Sequence, residues 1–378
     1  MVTSEQRPML RFLIVQTAAS VVGLQCWMIL FNNFAVEVAD LDGLQVGIIG
    51  SVREIPGFLA LLAVFVMLVI REHRLSALSI IFLGLGTALT GLLPSFSGLI
   101  ITTLIMSFGF HYYETTNQSL TLQYFSTAIS PLIFGRLRSL AAATSIVVGL
   151  LLYLMGMVFS YKVMFLTIGG LVVAAGIWGL LQDPTHKQVA PQHRKMIFRR
   201  RYSLYYFLTF MAGARRQIFI AFSVYLLVKV FHFTVTEITL LFVVNNAINF
   251  VLSPAIGRAI VRFGERWILS IEYGGLIGVF LVYAFTDSKL LVVAMYILDH
   301  ILFNFAIAIR TYFQKVADTA DIAPSMAVGF TINHIAAVVM PAIGGALWMI
   351  DYRIPFVTGA LLSLISLLAV QRIPRFAQ

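Results

Sequence analysis

Charge is what this chain of 378 residues has least of: Asp, Glu, Lys and Arg together make up 11% of it, against about 25% in soluble globular domains. Hydrophobic residues reach 60% and the mean hydropathy is +0.93. A water-facing surface cannot be assembled from so few ions, which excludes an ordinary soluble domain and leaves an integral membrane protein. Cysteine is limited to Cys26, so neither an internal disulfide nor a cysteine-based metal cluster can form. Cys26 reads as a small buried apolar residue. Missing too are a glycine-rich phosphate loop with its lysine, a His-Glu-x-x-His pair and a Gly-x-Ser-x-Gly elbow. Enzyme chemistry, ATP-driven transport, a cofactor and a resident metal are therefore not expected. Residues 1–8 lack the short apolar region and small-residue cleavage site of a secretory signal, so the first apolar run reads as a retained span.

What is present is a series of apolar runs of about 20 residues, the length a helix needs to cross a bilayer. Twelve are predicted, at 10–32, 44–70, 75–94, 97–124, 134–157, 163–182, 202–230, 236–260, 266–286, 289–314, 325–349 and 353–373. Basic residues test the layout, because positively charged loops stay on the cytoplasmic side. Eighteen of the 26 Lys and Arg fall at the termini, in the loops or at the span edges of one side, and four (Lys162, Lys229, Lys289 and Arg353) at those of the other. Both termini are thus expected in the cytoplasm of a cell whose inner membrane the chain spans. Lys187, Arg194, Lys195, Arg199, Arg200 and Arg201 crowd one mid-chain loop, predicting a bundle over 1–183, a basic cytoplasmic linker over 184–201 and a second bundle over 202–378. The net charge of +10 is explained by topology. Nucleic acid is not an expected partner, since the basic residues sit between apolar runs without a polar face carrying stacking aromatics.

Arg71-Glu72-His73-Arg74 before the third span matches the place of Arg262-Phe263-Gly264-Glu265-Arg266 before the ninth, and Gln123-Tyr124-Phe125 echoes Thr311-Tyr312-Phe313. Weak internal symmetry of this kind marks transporters built from two six-helix halves. The run from Gly257 through Arg258, Arg262 and Gly264 to Arg266 resembles the loop signature of the major facilitator superfamily, and Met340-Pro341-Ala342-Ile343-Gly344-Gly345 resembles its Pro-x-x-Gly-Gly element. The first-half loop lacks the glycines and aspartate of that signature, and the fifth span lacks the glycine-proline run that accompanies drug/proton antiport. The resemblance implies an all-α membrane fold of two pseudo-symmetric six-helix bundles, with helices one, four, seven and ten around a central cavity. It also implies that Gly257, Arg258, Arg262, Gly264 and Arg266 act as a conformational gate.

At 1.5 Å per residue, sequence position converts to depth, and polar residues of several spans reach mid-membrane together. They are Arg53 and Glu54 in the second, His111, Tyr113, Glu114, Asn117 and Gln118 in the fourth, and Arg215, Arg216 and Gln217 in the seventh. Asn245, Asn246 and Asn249 follow in the eighth, Asp299 and His300 in the tenth, and Asn333 and His334 in the eleventh. A charge at the centre of a membrane helix costs at least about 2.5–3.5 kcal/mol, so these positions are expected to face protein or a cavity. Arg215 and Arg216 are about 100° apart on a helix. One is expected to bind substrate while the other pairs with Glu114, Glu54 or Asp299. Arg53, Arg215, Arg216, Gln217, His111, Tyr113, Asn117, Asn245 and Asn333 are the candidate substrate ligands. Glu54, Glu114, Asp299 and His300 are the candidate proton carriers. Arg310 is expected to snorkel to the cytoplasmic interface or join the gate, and Glu272, six residues after Arg266, to join a cytoplasmic ionic cluster.

The resulting expectation is a secondary transporter moving a small polar, anionic or zwitterionic solute by alternating access, with the proton as coupling ion. Its partners are the small-molecule substrate and the lipid bilayer, and the chain is expected to work as a monomer. An exporter of amphipathic compounds by proton antiport and a transporter-like receptor or assembly factor are the alternatives.

Overall fold

Inside lipid every backbone N–H and C=O has to be satisfied within the protein, and long apolar runs answer this by closing into helices. In the computed structural model, which describes residues 2–185, 190, 192–193 and 196–374, the described residues form helices and no strand. Lys187, Arg194 and Lys195 of the expected linker lie outside the described residues, as do the side chains of Pro341 and Ala342. The long helices are α1 (Arg7–Glu37), α2 (Gly43–Phe58), α3 (Glu72–Thr90), α4 (Phe96–Tyr124), α5 (Ser130–Gly156) and α6 (Tyr161–Leu180). They continue with α7 (Ser203–Ile218), α8 (Val235–Phe263), α9 (Glu265–Phe285), α10 (Lys289–Val316), α11 (Ile322–Ile350) and α12 (Arg353–Val370). Among the described residues, ten segments are long and apolar enough to cross a membrane. The expected seventh span is interrupted: α7 passes at Phe219 into a π-helical turn, Phe219–Ser223, before resuming as Val224–Lys229.

Local chemistry sets the helix ends. Asp42 opens α2 with a reciprocal capping box, its carboxylate accepting from the Gln45 N–H at 2.8 Å while the Gln45 side chain accepts from the Asp42 N–H at 3.1 Å. Thr234 and Glu237 build the same device at the start of α8. Each box satisfies donors that the first helical turn leaves open. Gly264 separates α8 from α9 with φ +79°, a conformation glycine adopts without a Cβ clash.

The chain forms two compact units. The first contains Met1–Ser126, Leu140–Ile197 and Thr319–Thr331. Its apolar core joins Trp27, Phe31 and Phe34 of α1 to Leu83, Met106, Phe165 and Val172 of the neighbouring helices. Close approach of α3 and α4 depends on glycine: a Cβ on Gly86 would lie 2.3 Å from the Met106 backbone nitrogen, and one on Gly109 2.3 Å from that of Leu83. Small residues at such crossings let helix backbones gain dispersion contacts that lipid cannot supply. Glu72, at the first position of α3, accepts from Gln123 of α4 at 2.7 Å. His193 of the linker meets the buried Asp321 at 2.7 Å, and Gln192 donates to the Thr319 carbonyl at 2.8 Å.

The second unit contains Thr127–Ser139, Phe198–Asp318 and Ile332–Gln378. Leu208, Leu226, Leu269, Tyr273, Phe280, Tyr283, Tyr296, Phe313 and Phe356 are buried within it. It repeats the acid at the start of its third helix, Glu265 of α9, here accepting from Lys315 of α10 at 2.8 Å. Both units leave large apolar side chains outward, including Leu150, Tyr153 and Leu171 in the first and Val251, Leu361 and Leu368 in the second. In water such a surface would be a liability; around a bilayer protein it meets acyl chains.

Candidate functional site

The seventh expected span carries two adjacent arginines, and the structure turns them to different environments. Arg215 is 3% exposed, while Arg216 is exposed. Arg215 reaches α9, where its Nη2 lies 3.8 Å from Glu272 Oε1 and its guanidinium stands over the Tyr273 ring, 4.3 Å from the centroid. Its Nη1 donates to Ser366 Oγ of α12. Asp299 of α10 lines the same small cavity as Arg215 and Glu272 and is likewise buried. Glu272 is thus not part of a cytoplasmic ionic cluster. Six residues of helix carry it about 9 Å beyond Arg266, and Arg215 compensates its charge in the interior.

Arg216 lies over the Phe303 ring of α10, 5.5 Å from the centroid, and Arg138 of α5 stands 5.8 Å from the same ring. Arg138 Nε donates to Asn304 Oδ1 at 2.9 Å, and Asn304 Nδ2 donates to Asn249 Oδ1 of α8 at 2.6 Å and to the His300 carbonyl at 2.8 Å. The 3-10 turn Asn304–Ala306 inside α10 is where this amide sits. Two exposed guanidiniums therefore approach one aromatic ring, with the Asn304 carboxamide holding one of them. A guanidinium offers a planar fork of donors that matches carboxylate or phosphate and stays charged at any physiological pH. Asn245, four residues before Asn249 on the same face of α8, is buried with both amide atoms lacking a hydrogen bond. Gln217 is half-buried on α7.

In the first unit Arg53 turns back on its neighbour, donating to Glu54 Oε1 at 2.7 Å, and lies 5.7 Å from the Trp27 ring centroid. Glu54 and His111 bring a carboxylate oxygen and a ring nitrogen within 4.8 Å of each other. His111 Nδ1 donates to the Ser107 carbonyl at 2.9 Å, and Ser107 Oγ donates to the Arg53 carbonyl. Glu114 is half-buried and accepts from Gln118 Nε2 at 3.4 Å, and Asn117 is buried with its Oδ1 lacking a partner. Tyr113, expected among the substrate ligands, instead points into the apolar core and bonds Thr17 of α1 at 2.8 Å. It sits one residue from Glu114, and that step rotates it off the polar stripe. Asn333, also expected there, donates to the Thr209 carbonyl of α7 at 3.2 Å and so ties two helices together.

The Major Facilitator Superfamily profile matches residues 13–333, with a second match over 205–376. The chain belongs to the major facilitator superfamily. Its fold is shared with the human organic anion transporter MFSD10, at 11% identity and a TM-score of 0.75, covering 98% of this chain and 100% of that one. A bacterial homologue of the iron transporter ferroportin, in an outward-facing state, aligns at 14% identity and a TM-score of 0.76, covering 96% and 98%. The E. coli fucose:proton symporter FucP aligns at 12% identity and a TM-score of 0.78, covering 99% and 100%. No curated protein is similar to the chain in sequence. As a major facilitator protein it is a multi-pass membrane transporter, not an enzyme.

The family's loop signature takes the following form in this transporter. Gly257 fits against α5, where a Cβ would come 2.5 Å from the Pro131 carbonyl oxygen, and Gly264 makes the turn. Arg258 and Arg262 are exposed, Arg262 lying 5.2 Å from the Phe263 ring centroid. Arg266 donates to Gln371 Oε1 at 2.9 Å, which fastens α9 to the end of α12 within the second unit. Arg310 is half-buried, 5.6 Å from the Phe134 ring centroid. Asp299 and His300 are split by the helical rotation between them. Asp299 faces the Arg215 cavity, whereas His300 Nδ1 donates to the Tyr296 carbonyl at 3.2 Å and its ring stands edge-on to Phe219.

Proposed function

We propose that this transporter moves a small anionic or zwitterionic solute by alternating access, coupled to an ion gradient and most simply to protons. The reading takes all twelve expected spans as membrane-crossing, with both termini cytoplasmic and the monomer as working unit. The uneven distribution of basic loops supports that orientation. The observation that carries the substrate class is the pair Arg138 and Arg216, both set against Phe303, with Arg138 held by Asn304. A guanidinium offers a planar donor fork that matches a carboxylate or phosphate, and two of them approach the same ring. Asn245 and Asn249 on α8 offer neutral polar groups next to the charged ones, and the Phe303 ring supplies apolar contact. Arg216 is the residue assigned to the substrate, and Arg215 the one assigned to buried acids.

Glu54, Glu114 and His111 are the polar groups of the first unit assigned to transport. The test is uptake into proteoliposomes of radiolabelled small carboxylates and phosphates, with and without an imposed proton gradient, by wild type, Arg216→Ala and Glu114→Gln. Accumulation of an anion by wild type, abolished in Arg216→Ala, is the expected result. Glu114→Gln is expected to lose the response to the proton gradient, and uptake equal to wild type in both variants would overturn the assignment.

A further inference from the structure

Arg7 and Arg11 stand about one helical turn apart at the start of α1, and both are exposed. With Ser4, Trp178, Gln182 and Asp183 they line a cleft of about 420 Å³ where α1 begins and α6 ends, all within the first unit. Volumes of this order hold small molecules and headgroups. The Arg11 guanidinium lies 5.7 Å from the Trp178 ring centroid. The walls of the cleft are fixed from both sides. Gln6, just before α1, donates to the Tyr124 carbonyl of α4 at 2.8 Å, and Gln16 donates to the Ala175 carbonyl at 3.1 Å, joining α1 to α6 below the cleft.

Among the described residues neither arginine has a carboxylate within ion-pair distance. The first turn of α1 carries no acid. The acid that lines the cleft is engaged elsewhere: Asp183 lies 3.7 Å from Arg71 and accepts from the Thr185 hydroxyl. The cleft therefore carries excess positive charge in two guanidiniums, whose donor forks match the oxygens of a phosphate. Its setting says which phosphate. Both α1 and α6 are long and apolar enough to cross a membrane, so a cleft at their ends lies at the depth of the headgroups. Trp178 marks the same level, since tryptophan favours the membrane–water interface. Further into the membrane the same faces turn apolar. Ile14 follows Arg7 and Arg11 at helical spacing on α1, Leu171 and Ala174 precede Trp178 on α6, and all three are exposed. A phosphate-binding end continued by outward apolar side chains on both helices matches a phospholipid, and a free phosphate has no use for the apolar part.

We propose that this cleft binds one anionic phospholipid of the bilayer, with the lipid phosphate on Arg7 and Arg11 and its chains along the apolar faces that hold Ile14 and Leu171. Ser4 and Gln182 supply neutral polar groups for the glycerol or headgroup hydroxyls. A zwitterionic lipid such as phosphatidylcholine brings its own cation to the cleft and leaves the excess charge uncancelled, so the site selects for net negative charge. Basic pockets between membrane helices hold anionic headgroups in this way. The cytoplasmic termini proposed above put the site in the cytoplasmic leaflet. Only that choice of leaflet rests on the earlier reading; the binding itself does not.

The test uses the full-length protein in phosphatidylcholine nanodiscs and reads quenching of tryptophan fluorescence by added phosphatidylglycerol that is brominated on its chains near the headgroup. The part of the signal that Trp178→Phe removes reports this cleft. In wild type that part is expected to be quenched by brominated phosphatidylglycerol at a mole fraction about tenfold lower than by brominated phosphatidylcholine, the preference two basic residues near the membrane surface supply. The double variant Arg7→Gln/Arg11→Gln is expected to lose the preference. Equal quenching by the two lipids in wild type, or an undiminished preference in the double variant, would overturn the proposal. Relief of the quenching by inorganic phosphate at the concentration of the phosphatidylglycerol would also overturn it, by giving the cleft to a soluble anion. The two-lipid comparison in wild type decides the question even if the double variant does not fold. No solute is transported in the measurement, so failure here leaves the anion-transport reading intact, and failure of anion uptake leaves the lipid site intact.

Discussion

Arg215 and Arg216 are consecutive residues of one helix that differ in burial and in contacts: Arg215 is buried 3.8 Å from the Glu272 carboxylate, and Arg216 is exposed against Phe303. The 100° turn between adjacent helical positions separates a buried cation from the exposed one proposed to bind substrate. Arg216→Ala is expected to abolish anion uptake while leaving the thermal melt of the purified protein near wild type. Arg215→Ala is expected to destabilise the second unit by about 3–5 kcal/mol, the usual cost of leaving a buried charge without its partner. Melting curves in nanodiscs distinguish the two variants, and equal losses of stability would remove the division of labour between them.

Arg138 is the second cation of the proposed anion site and is positioned by Asn304 at 2.9 Å. Asn304→Ala removes this neutral acceptor, and a hydrogen bond to a charged group is worth about 1.5–3 kcal/mol. The variant should therefore raise the KM for an anionic solute by about tenfold or more, since each 1.4 kcal/mol is a factor of ten. Arg138→Lys should give a similar rise, because an ammonium cannot donate to Asn304 and span the ring in one geometry. Kinetic traces of uptake against concentration read both effects, and an unchanged KM in both would remove Arg138 from the site.

Gly86 brings α3 against α4 so closely that a Cβ would sit 2.3 Å from the Met106 backbone nitrogen. Gly86→Ala is expected to cost about 1–3 kcal/mol, the range for overpacking a tight interior. Gly149 of α5 has nothing within 4 Å of the corresponding point. Gly149→Ala should be neutral or stabilising by up to about 1 kcal/mol, as for alanine replacing glycine inside a helix. Paired melting temperatures decide the matter.

Glu237 lies outside the apolar part of α8 and is held at about 2, from its ordinary 4.5, first by the Thr234 backbone N–H it accepts from and then by Lys289. A carboxyl lowered in the folded state stabilises above its unfolded value and loses that stabilisation as pH falls through the folded one. Between about pH 4.5 and pH 2 the melting temperature of wild type should therefore drop, and Glu237→Gln should flatten that limb. Superimposable acid limbs would remove Glu237 from the cap.

Much of the fold is legible in the sequence because lipid imposes a simple rule, and a run of about 20 apolar residues has few other uses. The positions of α1, α4 and α10 follow from that rule alone. The division of the two arginines follows from helical rotation, and the turn at Gly264 from glycine's freedom at positive φ. Glu272 was misplaced because charges near it in sequence, Arg262 to Arg266, suggested a surface cluster; depth counted along α9 points inward. Arg138 and Asn304 escaped notice for different reasons. Arg138 stands in a run that also reads as a basic loop, and Asn304 acquires its importance from a break in α10 that brings its amide to α5 and α8. Tyr113 shows the converse: depth groups it with the polar stripe, but side-chain direction on α4 gives it to the core. Sequence supplies depth through rise per residue, while the face a residue presents depends on packing partners brought from far along the chain.

The central claim is that Arg216 receives an anionic group of the transported solute. Its most direct measurement is the melting temperature of wild type and Arg216→Ala in nanodiscs, against matched sets of small anionic, zwitterionic, neutral and cationic solutes. A solute present at 100 times its Kd stabilises by about 2.7 kcal/mol. Stabilisation of wild type by solutes bearing a carboxylate or phosphate, with none in Arg216→Ala, is the predicted result. Stabilisation by a solute without an anionic group, or undiminished stabilisation of Arg216→Ala by an anion, would contradict it.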